Sequence, residues 1–365
     1  MPVLNPFRPT AGATPPQLIG RDGVLDEFRY GLNIRSGAPG LLTIITGVRG
    51  IGKTVMLNEA EDAALRKGWV VISETATRGF LERIGGEVRQ YLQEYADKTP
   101  SRRITGIGVA GVSINTQVTP EAEQGWRQQT ERLLRLLDEN QTGLLITLDE
   151  IRGADRGELS QLAAWVQHFI REALPISLIF AVLPAAVSDL LNEGVATFLS
   201  RADRIDLQAV PIDAVQKSYQ ETFAALPVAI SDEIYAKAAE ATGGYPFMIQ
   251  LVGYHLWQVA EGLDRPLTIA DAQLAIDAAK RRNTRVVIEA ALATVSAKDQ
   301  QFLKAMAQDD SASRTADLAT RLNAKKNTIG NYRARLIDAG LIEPAGYGLV
   351  DFTLPGLREY LRLNP

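Results

Sequence analysis

The sequence predicts an α/β protein with a parallel-sheet core, a helical lid and a C-terminal winged helix-turn-helix. Three observations carry this. Strand-like and helix-like segments alternate up to about residue 210, the pattern of parallel strands joined by crossover helices. From Pro211 the strand signals stop and helical periodicity runs through residue 284. Residues 285–365 then read as three helices and a β-hairpin, the second and third helices joined by a short turn. The expected boundaries are an arm over 1–21, a core over 22–210 with an insertion at 101–118, a lid over 211–284 and the C-terminal unit over 285–365.

The first 18 residues hold five prolines, which favours an extended arm over a packed element. Ile19-Gly20-Arg21 follows, then an amphipathic helix over 22–35. Leu41–Thr46 is an apolar first strand, and GVRGIGKT, Gly47 to Thr54, comes directly after it. Gly47, Gly52, Lys53 and Thr54 satisfy the phosphate-loop spacing of glycine, four residues, glycine, lysine, then Ser or Thr. Glycines let successive backbone N–H groups of Val48, Arg49, Gly50 and Ile51 turn inward into an anion nest. The helix expected from Lys53 through Val55 to Lys67 points its positive end at the same anion. Lys53 would reach the β- and γ-phosphates, and the Thr54 hydroxyl would ligate Mg²⁺.

A second strand is expected over 69–72 and an amphipathic helix over 78–95. Residues 101–118 are glycine-rich and β-branched and suggest a twisted hairpin, either packed on its own domain or projecting toward DNA or a neighbouring subunit. A helix over 120–139 leads into the buried-strand run Leu144–Leu148, which ends in Asp149-Glu150. Asp149 would hold the Mg²⁺ shell beside Thr54, and Glu150 would orient the attacking water. A fourth strand over 176–182 ends in Ala181-Val182-Leu183-Pro184, where ATPases of this general type usually place a polar γ-phosphate sensor. That departure implies slow or conditional hydrolysis. Arg201 and Arg204, beside a short fifth strand, read either as an arginine finger for the next subunit or as partners of Asp203 and Asp206.

The lid opens four helices, with Gly243-Gly244-Tyr245-Pro246 between the second and third. This is either a simple helix start or an element through which Tyr245 and Pro246 reach the nucleotide. In the C-terminal unit the third helix would enter a major groove, with Lys325, Lys326, Asn327, Asn331, Arg333 and Arg335 as candidate duplex-DNA contacts and Tyr347 at the wing tip. From residue 296 on, ten Lys or Arg face eight Asp or Glu, a modest basic bias that also fits a protein-packing arm.

The whole chain of 365 residues is long enough for two or three domains. Its net charge of −4 creates no global attraction for nucleic acid, so any such surface is local. The absence of cysteine excludes disulfides, thiolate metal sites and cysteine nucleophiles. His168 falls on an amphipathic helix and reads as structural. No signal-like start or membrane-length apolar run is visible, and the expected location is cytoplasmic.

The phosphate loop, Asp149-Glu150, Gly244-Tyr245-Pro246, the arm Asn5–Arg21 and the C-terminal unit together carry a resemblance. The chain resembles AAA+ ATPases of the archaeal-ATPase and origin-recognition-like type, which are related to the signal-transducing STAND NTPases. The resemblance implies ATP/ADP with Mg²⁺ as ligands, Ile19, Gly20 and Arg21 near the adenine, and Pro246 touching the nucleotide. Ser200-Arg201 resembles the arginine box of replication initiators, which implies a homo-oligomer with Arg201 acting in catalysis beside Glu150 and Lys53. The lid lacks the arginine that initiators often carry beside this element. The resemblance therefore implies a nucleotide switch that couples to DNA, or a signalling or defence scaffold that binds protein.

Overall fold

The computed structural model describes residues 4–10, 15, 18–98, 125–151, 156–184, 187 and 199–364. The expected hairpin at 101–118 lies outside the described residues.

The core is a five-stranded, all-parallel sheet in the order β2-β3-β4-β1-β5. Its strands are β1 (Leu42–Thr46), β2 (Val70–Thr75), β3 (Leu144–Asp149), β4 (Ile176–Val182) and β5 (Asp203–Asp206). The three central strands are mostly apolar and buried almost to their ends because helices cover both faces of the sheet. One face, with Ile45, Leu145 and Ile179, packs against α1 (Asp26–Ile34) and α2 (Lys53–Arg66). The other, with Ile44, Ile146 and Phe180, packs against α3 (Phe80–Lys98), α4 (Trp126–Glu139) and α5 (Arg156–Arg171). Edge strand β5 carries three charged residues, Asp203, Arg204 and Asp206, and charge of this kind blunts an open sheet edge.

The register decides where the chemistry sits. Thr46 pairs with Val182, and Thr75 with Asp149, so the carboxyl ends of β1, β3 and β4 form one rim. Open α/β sheets bind ligands at such rims. Because β4 lies between β1 and β3, Leu183 emerges between the loop after β1 and the carboxylates after β3.

The lid comprises α6 (Ile212–Phe223), α7 (Asp232–Glu240), α8 (Pro246–Glu261) and α9 (Ile269–Asn283). It shares one hydrophobic core with the α1–α2 face of the sheet, through residues including Tyr219, Phe223, Leu256 and Trp257. Phe7 of the arm enters this core, edge-on to Tyr219 and Trp257, while the Asn5 side chain donates to the Tyr254 carbonyl at 3.1 Å. The arm's first stretch is thus held by the lid.

The chain passes from α9 into the C-terminal residues without a break in the helix, through one π-helical segment (Thr284–Ile288), into α10 (Glu289–Leu292). The unit beyond contains α11 (Ala297–Met306), β6 (Ser313–Arg314), α12 (Thr315–Arg321), α13 (Lys326–Asp338), β7 (Ile342–Gly346), β8 (Leu349–Phe352) and α14 (Leu357–Leu363). Its own core gathers Phe302, Leu303, Met306, Leu336, Val350 and Leu357. The hairpin β7–β8 is extended by β6 into a three-stranded antiparallel sheet, order β6-β8-β7. Neither β6 nor α14 was expected.

Candidate nucleotide-binding site

The loop Gly47–Thr54 leaves the end of β1, and Gly52 stands as the N-cap of α2, so the helix opens directly onto the loop. Four carbonyl oxygens of the loop accept side-chain donors. Lys53 Nζ donates to Gly47 at 2.9 Å and Val48 at 3.0 Å. The Tyr245 hydroxyl donates to Arg49 at 2.8 Å, and Arg21 Nη2 donates to Ile51 at 3.3 Å and to Gln208 at 2.7 Å.

Gly50 has φ +78°, and a Cβ added there would lie 1.8 Å from the Tyr245 hydroxyl oxygen. Only glycine admits both this backbone conformation and this approach. Gly244 is the matching requirement on the lid. With φ +71°, it presses on Val210 so closely that a Cβ would fall 2.1 Å from the Val210 carbonyl oxygen, while its own carbonyl accepts the Val210 N–H at 2.8 Å. The glycine pair and Pro246 thereby seat Tyr245 over the phosphate loop.

Across the rim, the Thr54 hydroxyl donates to Asp149 Oδ2 at 2.6 Å, and Asp149 Oδ1 accepts the Glu150 N–H at 2.7 Å. A hydroxyl and a carboxylate side by side form the hard-oxygen donor set that suits Mg²⁺. Glu150 adopts φ +54°, a left-handed conformation uncommon outside glycine and often found where function dictates the backbone.

Burial pushes the Lys53 ammonium down to about 8, with Asp149 and Glu150 pulling the other way and Arg49 adding to the depression. An anion in the loop would supply the missing counter-charge. Burial likewise pushes the Tyr245 phenol up to about 12, so it remains a hydrogen-bond donor at any physiological pH.

The other expected residues fall into place unevenly. Arg21 reaches the loop, whereas Gly20 packs on Val210, where a Cβ would lie 2.8 Å from its methyl group, and Ile19 joins the lid-side core. Pro246 lies beside the loop, its Cγ 4.0 Å from a Cβ built on Gly52. Arg201 ends a one-turn helix (Leu199–Arg201) and is exposed, as is Arg204 on β5.

The apolar end of β4 has a partner that the sequence did not disclose. Gly340, the turn after α13, lies against Leu183 and Arg49, with the Leu183 methyls 3.4 and 3.7 Å and the Arg49 Cβ 3.8 Å from a Cβ built on it. The C-terminal unit therefore rests on the rim, beside the phosphate loop.

Within that unit Lys325, Lys326, Asn327 and Asn331 are exposed and Arg333 is half-buried. Arg335 is engaged internally: it pairs with the buried Asp299 carboxylate at 2.6 Å, and its guanidinium lies 5.1 Å from the Tyr332 ring centroid.

Residues 17–180 match the family model described as AAA ATPase domain. This part of the chain is an AAA ATPase domain. A second model, described only as a domain of unknown function (DUF8462), matches residues 285–361. No curated protein sequence matches the chain. Among solved structures, the ORC2 protein of Aeropyrum pernix in ADPNP–ADP complexes is 14% identical, with 97% of this chain and 94% of that one covered at a TM-score of 0.60. The Walker-type ATPase PABY2304 of Pyrococcus abyssi is 12% identical, with coverages of 94% and 96% and a TM-score of 0.65. Cdc6p of Pyrobaculum aerophilum is 15% identical, with coverages of 98% and 97% and a TM-score of 0.50. Similarity at this level of identity speaks to fold, and the fold is that of an origin-recognition-like P-loop ATPase. Among the described residues no helix is long and apolar enough to cross a membrane.

Proposed function

We propose that this AAA protein is an ATP-binding, slowly hydrolysing switch whose nucleotide state sets the position of the lid and of a C-terminal winged helix that binds duplex DNA. The observation that carries this reading is that the phosphate loop is touched by both other parts of the chain. Tyr245 of the lid bonds to its Arg49 carbonyl, and Gly340 of the C-terminal unit lies against Arg49 and Leu183. A ligand that reshapes the loop thus has differential contacts with more than one arrangement, which is what a population shift requires.

In this reading the loop N–H groups and Lys53 hold the phosphates, Thr54 and Asp149 present oxygen donors to Mg²⁺, and Glu150 orients water. Bound Mg²⁺ would neutralise charge on the phosphate oxygens. With Leu183 in the sensor position, no polar side chain at the end of β4 reports the γ-phosphate, which supports slow turnover. Arg201, which is exposed beside the edge strand, would in this reading serve a second copy of the chain in a homo-oligomer.

The test measures molecular size and binding to a labelled duplex in parallel, with ATP and with ADP. Lys53→Ala should abolish nucleotide binding and leave the circular dichroism spectrum unchanged; unaltered ATP affinity in that variant would sink the assignment. Charge reversal at Lys325 and Lys326 should weaken duplex binding and flatten its salt dependence. One observation favours a second reading, a scaffold whose C-terminal unit binds protein. The internal Arg335–Asp299 pair takes a cation away from the candidate DNA surface. No duplex binding even at low salt would select that reading.

A further inference from the structure

We propose that Tyr245 is a positioning residue for the phosphate loop, acting on the nucleotide through the Arg49–Gly50 peptide rather than by touching it. The inference rests on the nucleotide-binding reading above.

The geometry supplies the argument. A trans peptide is planar, with its carbonyl and the following N–H on opposite sides. By holding the Arg49 carbonyl at 2.8 Å, the Tyr245 hydroxyl fixes the plane of the next peptide and directs the Gly50 N–H away from the lid. Arg21 does the same for the Ile51–Gly52 peptide from the arm side. The N–H groups so directed belong to the two glycines that flank Ile51, in the part of the loop that forms an anion nest.

Three further features show that the arrangement is built. Tyr245 is 4% exposed, so its hydroxyl has no competing solvent. The absence of a Cβ at Gly50 provides the space in which the hydroxyl sits. The tyrosine backbone is anchored on the far side, where the Gly244 carbonyl accepts the Val210 N–H at 2.8 Å and the Gly244 N–H donates to the Thr242 hydroxyl at 3.0 Å. The loop is thus preformed only while the lid is seated. Without the hydroxyl, binding would have to order the loop, and preorganisation would be lost.

Tyr245→Phe keeps the ring and removes the hydroxyl. In calorimetric titrations of the full chain with Mg²⁺, the dissociation constants of ADP and ATP should each rise about 3- to 10-fold, the effect of losing one neutral hydrogen bond. AMP lacks the β- and γ-phosphates and keeps only one of the groups that such a loop holds, so its affinity should change less, within about twofold. Hydrogen exchange of the nucleotide-free variant should quicken in peptides covering 47–52 and not along α8. Equal weakening of AMP, ADP and ATP would overturn the proposal in favour of direct contact with the nucleoside. Faster exchange along all of α8 would reduce Tyr245 to a packing residue, and unchanged ADP and ATP affinities would remove its role altogether. If the unaltered protein binds neither ADP nor ATP, the nucleotide reading itself fails, an outcome distinct from all of these.

Discussion

Lys53 works under a tension that its surroundings create. Its ammonium is largely buried beside a loop whose ligand carries the compensating charge, and burial lowers its pKa from an ordinary 10.5 to about 8. The sign of the stability effect follows. Between about pH 8 and 10.5 the unfolded chain binds the proton that the folded chain releases, so stability rises with pH across this window. Below about pH 8 both forms are charged and folding bears the full cost. Lys53→Met should therefore stabilise the nucleotide-free protein at pH 7 by about 1–3 kcal/mol, less what is lost with the bonds to the Gly47 and Val48 carbonyls. Thermal melts across pH 7–11 would check this: the gain should shrink toward the upper end, and the variant should show no stabilisation by ATP. Glu150 gives a complementary expectation. Glu150→Gln should retain nucleotide affinity and lose hydrolysis about 100-fold or more, measured as phosphate release, because a positioned base contributes at least that much.

At the scale of elements, α13 shows how a helix serves two masters. The side chains of Lys325, Lys326, Asn327 and Asn331 at its start are exposed to a partner, while Ile329 and the later turns hold the unit together. Burial opposes ionisation of Asp299, but the Arg335 guanidinium and the Ser296 hydroxyl and N–H bonds outweigh it and hold the carboxyl below its usual range. Arg335→Ala should consequently lower the melting temperature of the protein and leave the salt slope of duplex binding unchanged, whereas Lys326→Glu should do the reverse. Such elements were legible in the sequence in proportion to their local signal. The fourth strand was read at its true limits because Ile176–Val182 is apolar at every position but Ser177. Two-residue β6 has no periodicity to detect, and the π-helical join at Thr284–Ile288 lies where composition changes without a break in the helix. The phosphate loop and acidic pair were visible because their chemistry is contiguous along the chain. Tyr245 on Arg49, Arg21 on Ile51 and Gly340 on Leu183 were not, because each joins residues far apart in sequence and depends on how the domains meet.

At the scale of the molecule, the end of β4 is where the AAA core meets the C-terminal unit. Leu183→Glu would place a carboxylate against Gly340 and should release the unit from the rim, giving a larger radius of gyration by small-angle scattering without loss of helix content. An unchanged radius would show that other contacts hold the unit in place. The unbroken helix from Ile269 to Leu292 determines what such a release would transmit. At 1.5 Å per residue it is a rod of roughly 35 Å, packed along α8 at one end and rooted in the C-terminal unit at the other. A rod of that length has mechanical gain, since tilting its base by ~10° sweeps its tip through ~6 Å. The hydroxyl of Tyr245, at the opening of α8, then stands on the short arm of a lever whose long arm carries the C-terminal unit.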